Sequence, residues 1–255
     1  IVGAAIGITG DFLERAVALK EAQVSFICLD VAHGHHIIMK EAIEQLRKRF
    51  GGYMHIMAGN VATAEGFQAL VDWGADSVRV GIGGGSICTT RIQTGHGVPT
   101  LQSILDCAII ARTSGVQLIA DGGIKNSGDI VKALAAGANF VMLGSLLAGT
   151  IQSPGDVILT KQGKYKAYRG MASQAAQSDF KGSAHHVEGV ASIIPFKGGV
   201  ADILEGLMAG VRSGLSFSGA RTILELQENC CLIRQSSSSV QESNPHIFLR
   251  NGTEK

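Results

Sequence analysis

The densest chemical run in the sequence is GIGGGSICTT, residues 81–90. Its three consecutive glycines, Gly83 to Gly85, let the backbone approach a ligand closely and take positive φ. Ser86 offers a hydroxyl to an anion, and Cys88 stands two residues further on. A thiol beside exposed backbone amides can be acidified and act as a nucleophile. A flexible turn with an incidental buried cysteine would look the same, and the glycine run alone leaves both readings open. DGGI (121–124) and LGS (143–145) each place glycine and polar residues directly after an apolar segment. Such turns suit a phosphate held on backbone amides, with Asp121 accepting from ribose hydroxyls. Ordinary tight turns use the same residues.

Other candidates fare less well. His33, His35 and His36 of AHGHH have no further ligand cluster at a useful spacing. They read as loop histidines rather than a metal site, as do His185 and His186. GIGGGS lacks the GxGxxG spacing, and no acidic residue follows about 20 residues on, so a Rossmann-type dinucleotide turn is not supported.

These runs need a scaffold that brings them together. Short apolar segments near 1–6, 24–30, 54–59, 76–82, 117–121 and 139–144 read as strands. FICLD, HIMAG and LIADG are continuous apolar runs ending in a polar residue or glycine, as expected of parallel strands buried on both faces. Amphipathic stretches follow at 11–22, 38–50, 62–74, 101–114, 126–137 and 198–212. Regular alternation predicts an α/β fold with a parallel sheet, and the even spacing favours a (β/α)₈ TIM barrel over an open sheet. Only six units are visible, so the first two strands of such a barrel are expected to be absent from this chain. In this fold the strand C-termini carry the chemistry, and LDVAHGHH, AGNVAT, GIGGGSICTT, DGGI and LGS all fall there.

Composition narrows the class. The chain has 255 residues, 34 glycines and 5% aromatics, so its core must be Ala, Val, Ile and Leu. A net charge of +1 gives no electrostatic case for nucleic acid. No apolar run reaches the roughly 18 residues of a membrane span. Five cysteines without CxxC spacing give no disulfide or metal framework. With no basic leader at the N-terminus, the expectation is a reduced, cytoplasmic protein.

GIGGGSICTTR, TGHGVP, LIADGGIKNSGDIVKALAAGA, VMLGSLLAGT and YRGMAS, in this order, resemble the IMP dehydrogenase/GMP reductase family. The resemblance runs over the whole chain. It implies a barrel enzyme, usually a homotetramer, that takes a purine nucleoside monophosphate (GMP or IMP) and a nicotinamide cofactor, NADPH or NAD. Family members begin with two further strands and many carry CBS domains; this sequence has neither. The implied division is a catalytic barrel over 1–228, with an active-site loop at 83–100 and a flap at 150–197, and a C-terminal tail over 229–255 that reads as loosely ordered.

By motif, Cys88 resembles the nucleophile that attacks C2 of the purine, with Thr90 its companion and Gln174 in the third catalytic position. Ser86, Gly123, Gly144, Ser145 and Tyr168 resemble the phosphate cradle, and Asp121 the ribose contact. Gly170, Met171 and Glu188 resemble base contacts. Asp30, Asn60, Gly81 and Gly83 resemble the cofactor side. ESNPH (242–246) resembles a segment that shares a monovalent cation such as K+, which implies Gly83, Gly85, Cys88 and Glu242 as ligands.

Two reactions use this apparatus. IMP dehydrogenase hydrolyses the covalent intermediate and uses an Arg-Tyr pair to activate water, in a pattern like SDRYF. Here the segment reads Ser178-Asp179-Phe180-Lys181. GMP reductase expels ammonia and needs no such base, which favours it. Gln174, where reductases carry glutamate, and YRGM, EGV and GVRSG lean the other way. A non-catalytic nucleotide-binding homologue and an unrelated sugar-phosphate-binding barrel are the readings from other classes.

Overall fold

Apolar runs commit six segments to one parallel sheet. In the computed structural model, which describes residues 1–183 and 187–245, they are β1 (Gly3–Ile6), β2 (Phe26–Asp30), β3 (His55–Val61), β4 (Ser77–Val80), β5 (Gln117–Asp121) and β6 (Phe140–Met142). Each pairs in parallel with its neighbours in sequence, in the order β1-β2-β3-β4-β5-β6. The intervening helices are α1 (Phe12–Glu21), α2 (Ile37–Phe50), α3 (Ala64–Asp72), the short α4 (Thr90–Thr94), α5 (Thr100–Ser114) and α6 (Ser127–Ala135). The sheet is a six-strand arc of the expected barrel: among the described residues β1 and β6 each pair on one side only.

Alternation along the strands sorts side chains to two faces. Ile27, Leu29, Ile56, Ala58, Val78, Val80, Leu118 and Ala120 point outward into a continuous core with Met39, Ile43, Leu46, Phe67, Leu70 and Ile104 from the helices. Cys28, Met57 and Ile119 form a second cluster with Phe26 and Met142 on the inner face. Side-chain caps fix the helix starts, each satisfying a backbone donor the helix cannot. Thr63 accepts from Gly66 N, Asn126 from Asp129 N, and the His36 ring from Ile38 N. One of the loop histidines is thus a helix cap.

The interval 150–197, expected as a long flap, contains folded structure. An antiparallel three-stranded sheet is built from β7 (Val157–Thr160), β8 (Gly163–Arg169) and β9 (Ala191–Pro195), in that order. Helix α7 (Gln174–Lys181) follows β8, and the Arg169 guanidinium pairs with Asp179 on it. Lys166 is buried, and its ammonium donates to the Thr150 and Ser153 carbonyls at the base of the excursion. The chain then returns to the barrel as α8 (Val200–Phe217), which packs on α6. Next come α9 (Ile223–Asn229), with Leu226 fully buried, and α10 (Ser237–Glu242), capped by Ser236. The expected loose tail therefore carries helical structure up to Glu242; His185, His186 and His246 lie outside the described residues.

Phe67 is fully buried between α3 and the sheet. Phe67→Ala is expected to cost about 3–5 kcal/mol through lost transfer energy and a cavity. Urea unfolding followed by circular dichroism checks this; a loss below about 1 kcal/mol would mean that the outward core is not packed as described.

Candidate functional site

The C-terminal ends of β2 to β6 open onto one rim, as a parallel arrangement requires. After β4 the chain turns at Gly81, which has φ of +141° and lies so close to the Asp121 carbonyl that a Cβ there would sit 2.0 Å from it. Only glycine permits that approach, and it brings the 81–90 loop against the start of the DGG turn.

The loop is then locked to a segment about 100 residues away in sequence. Thr89 N donates to Glu188 O at 2.8 Å, and Val190 N donates to Ile87 O at 3.0 Å. Glu188 N in turn donates to Ala172 O, so residues 187–190 lie between the cysteine loop and the 170–173 turn. The Cys88 thiol donates to Thr90 Oγ1 at 3.1 Å, and that hydroxyl donates to Glu188 Oε2 at 2.7 Å. Thiol, hydroxyl and carboxylate thus form one hydrogen-bonded chain along which a proton can pass. Cys88 and Thr90 were expected together; the attachment of Glu188 to them, rather than to a base alone, is visible only in three dimensions.

A polar cradle adjoins this chain. Ser86 Oγ and Tyr168 OH lie 3.3 Å apart, and Tyr168 OH is 3.5 Å from where a Cβ on Gly144 would stand. Three of the expected phosphate residues, from separate segments of the chain, therefore meet. Beside them Lys197, not singled out from the sequence, donates from Nζ to Ser145 O at 2.7 Å and Leu146 O at 3.1 Å. With the Ser145 carbonyl turned to an ammonium, the Leu146 N–H of the same planar peptide points the opposite way. Burial lowers the Lys197 pKa from its usual value.

On the inner face the expected cofactor and ribose residues converge on Arg79. Its guanidinium reaches Asp30 Oδ1 and Asp121 Oδ2, each at 2.8 Å, and Cys28 Sγ at 3.2 Å. Asn60 Nδ2 donates to Asp121 Oδ2 at 2.9 Å and to Gly81 O at 2.7 Å. Burial works against the charge on Arg79, but Asp30, Cys28 and Asp121 outweigh it and the pKa is raised. A charged residue inside the apolar run SVRV was the one sequence signal that something unusual sits here.

Other expected residues are not brought into these contacts. Gln174 opens α7, exposed, with no hydrogen bond to Cys88, Thr90 or Glu188 among the described residues. Gly170 packs near Ile87, while the Met171 side chain is mostly exposed. Gly123 lies in the turn after β5 near Thr100. Among the described residues, no contact joins the residues expected to hold a monovalent cation into one set. Gly85 O accepts from Cys88 N, and nothing joins Glu242 to the 83–88 loop among the described residues. Nor do they contain a group of three or more His, Cys, Asp or Glu able to hold a metal. No helix in the described residues is long and apolar enough to cross a membrane.

The model of the IMP dehydrogenase / GMP reductase domain matches residues 1–246. Inosine-5'-monophosphate dehydrogenase of Nitrosopumilus maritimus is 48% identical over 98% of this chain and 55% of its own length. The enzyme of the same name from Aquifex aeolicus is 47% identical over 96% of this chain and 52% of its own. Among solved structures, a cysteine-to-alanine variant of Trypanosoma brucei GMP reductase in complex with guanosine 5'-monophosphate matches with TM-score 0.93 and 41% identity. That match covers 98% of this chain and 53% of the other. The chain thus spans a little over half the length of these relatives.

The five cysteines are expected to differ in reactivity. Burial pushes the Cys28 thiol up, and pushes Cys107 up to about 12 with Asp106 and Glu65 adding to it. Cys88 is half-buried and Cys231 exposed. Alkylation of the native protein near neutral pH should label Cys231 and Cys88 while sparing Cys28 and Cys107. Peptide mass spectrometry reads this directly, and early labelling of Cys107 would contradict the burial described.

Proposed function

This chain belongs to the IMP dehydrogenase / GMP reductase family, and from that premise we propose that it acts at C2 of a purine nucleoside 5'-monophosphate through a covalent adduct on Cys88. The observation that carries the proposal is the Cys88–Thr90–Glu188 chain. It gives the sulfur a route for its proton and ends in a carboxylate, the acceptor a thiol needs to become a nucleophile. Ser86, Tyr168, Gly144 and Leu146 N–H would hold the phosphate, and Asp121 would accept from the ribose.

For the nicotinamide cofactor, the inner face offers fitting groups. Asn60 Oδ1 is buried without a partner among the described residues, and Asp30 is partly open to solvent. A bound nicotinamide would supply or accept hydride at C2. Asp30, Asn60, Gly81 and Gly83 would line its side of the cleft. For K+, the described residues offer no assembled set, and no step depends on one.

We read the direction as reduction of GMP. Cys88 gives its proton through Thr90 to Glu188, and the sulfur bonds to C2. Glu188 then returns that proton, by way of Thr90, to the departing amino group, which leaves as ammonia. Thiol plus aminopurine becomes thioimidate plus ammonia, so atoms and charge balance. No water needs activating, and Ser178-Asp179-Phe180-Lys181 contains no Arg-Tyr pair. Asp179 is occupied with Arg169 instead. The second reading is oxidation of IMP. It is favoured by the same Glu188 carboxylate, which could take a proton from water, and by the names of the relatives that are 47–48% identical.

A paired assay separates them: GMP with NADPH, and IMP with NAD, each followed at the nicotinamide absorbance band. Turnover in the first mixture is expected; turnover only in the second would assign the oxidative reaction. Cys88→Ser should lose at least about 10³-fold in either case. Glu188→Gln should lose about 10²- to 10⁴-fold in kcat, the usual range for general acid–base groups. A Glu188→Gln enzyme with unchanged kcat would remove Glu188 from the proton path.

A further inference from the structure

Strand β4 reads Ser-Val-Arg-Val, and Arg79 is a cation where the fold calls for an apolar side chain. Its register partners are Gly59 on β3 and Ile119 on β5, so it stands on the inner face between the strands that end in Asp30 and Asp121. Room for it is made by Gly59: a Cβ there would lie 2.6 Å from Arg79 Cβ and 2.9 Å from Arg79 O. Immediately after Gly59 the β3–β4 register shifts by one residue, from Gly59↔Arg79 to Val61↔Val80. The extra residue is Asn60, whose amide reaches Asp121. A bulge that re-aims a side chain in this way commonly adjoins a functional site.

The hydrogen bonds are unevenly spent. On Asp121, Oδ2 takes both Arg79 Nη2 and Asn60 Nδ2, while no described group donates to Oδ1. On Asp30, Oδ1 takes Arg79 Nη1, while no described group donates to Oδ2. Arg79 Nε and Asn60 Oδ1 are buried with no partner among the described residues, which native interiors rarely tolerate. A cluster assembled only for stability would satisfy its own atoms.

We propose that Arg79 is a positioning residue that makes the site selective for ribose over 2'-deoxyribose. One guanidinium fork pins an oxygen of each carboxylate and turns the other oxygen of Asp121 toward the rim as an acceptor. That oxygen meets the sugar hydroxyls of the nucleotide. Lysine cannot substitute, because an ammonium is a point charge without the fork that spans both carboxylates. The inference rests on the reading that Asp121 faces the ribose of a purine nucleoside monophosphate.

The test is the affinity of the protein for IMP and for 2'-deoxy-IMP, measured by calorimetry on wild type, Arg79→Lys and Gly59→Ala. A hydrogen bond between a hydroxyl and a carboxylate discriminates by about 10- to 100-fold, and wild type is expected to favour IMP by that ratio. Arg79→Lys keeps the charge, and Gly59→Ala displaces the Arg79 stem. Each should cut the ratio at least about fivefold while leaving the 2'-deoxy-IMP affinity within about twofold. A purely structural role would weaken both ligands together. An unchanged ratio in a folded Arg79→Lys protein overturns the proposal, and so does failure of both variants to fold, which would make Arg79 a stability residue alone. Wild type that binds IMP without preferring ribose would instead refute the Asp121 reading, and wild type that binds neither ligand would refute the proposed function; either result removes this proposal too.

Discussion

The whole rim depends on one close approach, that of Gly81 to the Asp121 carbonyl. Neighbouring parallel strands leave their C-termini side by side, so the loops that follow compete for the same space. At Gly81 the competition is settled by removing a side chain: the position admits no Cβ and demands positive φ. With the backbones in contact, the 81–90 loop lies over the inner face and Asn60 can donate to both Gly81 O and Asp121. The loop then reaches far enough to pair with residues 187–190. Glycine is here a means of bringing distant loops into one hydrogen-bonded surface.

From that surface two polar systems extend. The outer one runs from Cys88 through Thr90 to Glu188 and can move a proton. The inner one runs from Asp30 through Arg79 to Asp121 and holds charge still. Proton movement suits adduct formation and collapse, and fixed charge suits recognition. The excursion that includes β7, β8 and β9 serves the outer system and the polar cradle beside it, since it delivers Tyr168 to Ser86, the 187–190 segment to the cysteine loop and, just beyond β9, Lys197 to the 145–146 carbonyls. Its own stability is local, resting on Lys166 among carbonyls and on the Arg169–Asp179 pair.

How much of this was legible in the sequence follows from the range of the forces involved. The six parallel strands and their helices announce themselves through apolar runs and 3.6-residue periodicity, which are local signals. Cys88, Ser86, Asp121 and the glycine turns were legible because strand ends in this architecture share one edge. The small antiparallel sheet was not, because β7 is a four-residue, largely apolar run that stays exposed and β8 is largely polar, so neither shows the alternation of a half-buried strand. Glu188 could be named as a site residue, but its bond to Thr90 spans 98 positions of sequence. The role of Arg79 needs the register of three strands and a one-residue bulge in β3. Gln174 was singled out through its motif neighbours, and the structure places it at the exposed start of α7.

Cys88 stands at the centre as the nucleophile toward the ring of a bound purine nucleotide. Incubation with 6-chloropurine riboside 5'-monophosphate, whose chloride at C6 the Cys88 thiolate would displace, followed by intact-mass and peptide mass spectrometry, tests that nucleophile most directly. A stoichiometric adduct of one nucleotide at Cys88 is expected, with Cys28, Cys107, Cys230 and Cys231 unmodified and no adduct on Cys88→Ser. Modification spread over the exposed cysteines, or no adduct at Cys88 under conditions where the nucleotide binds, would contradict it.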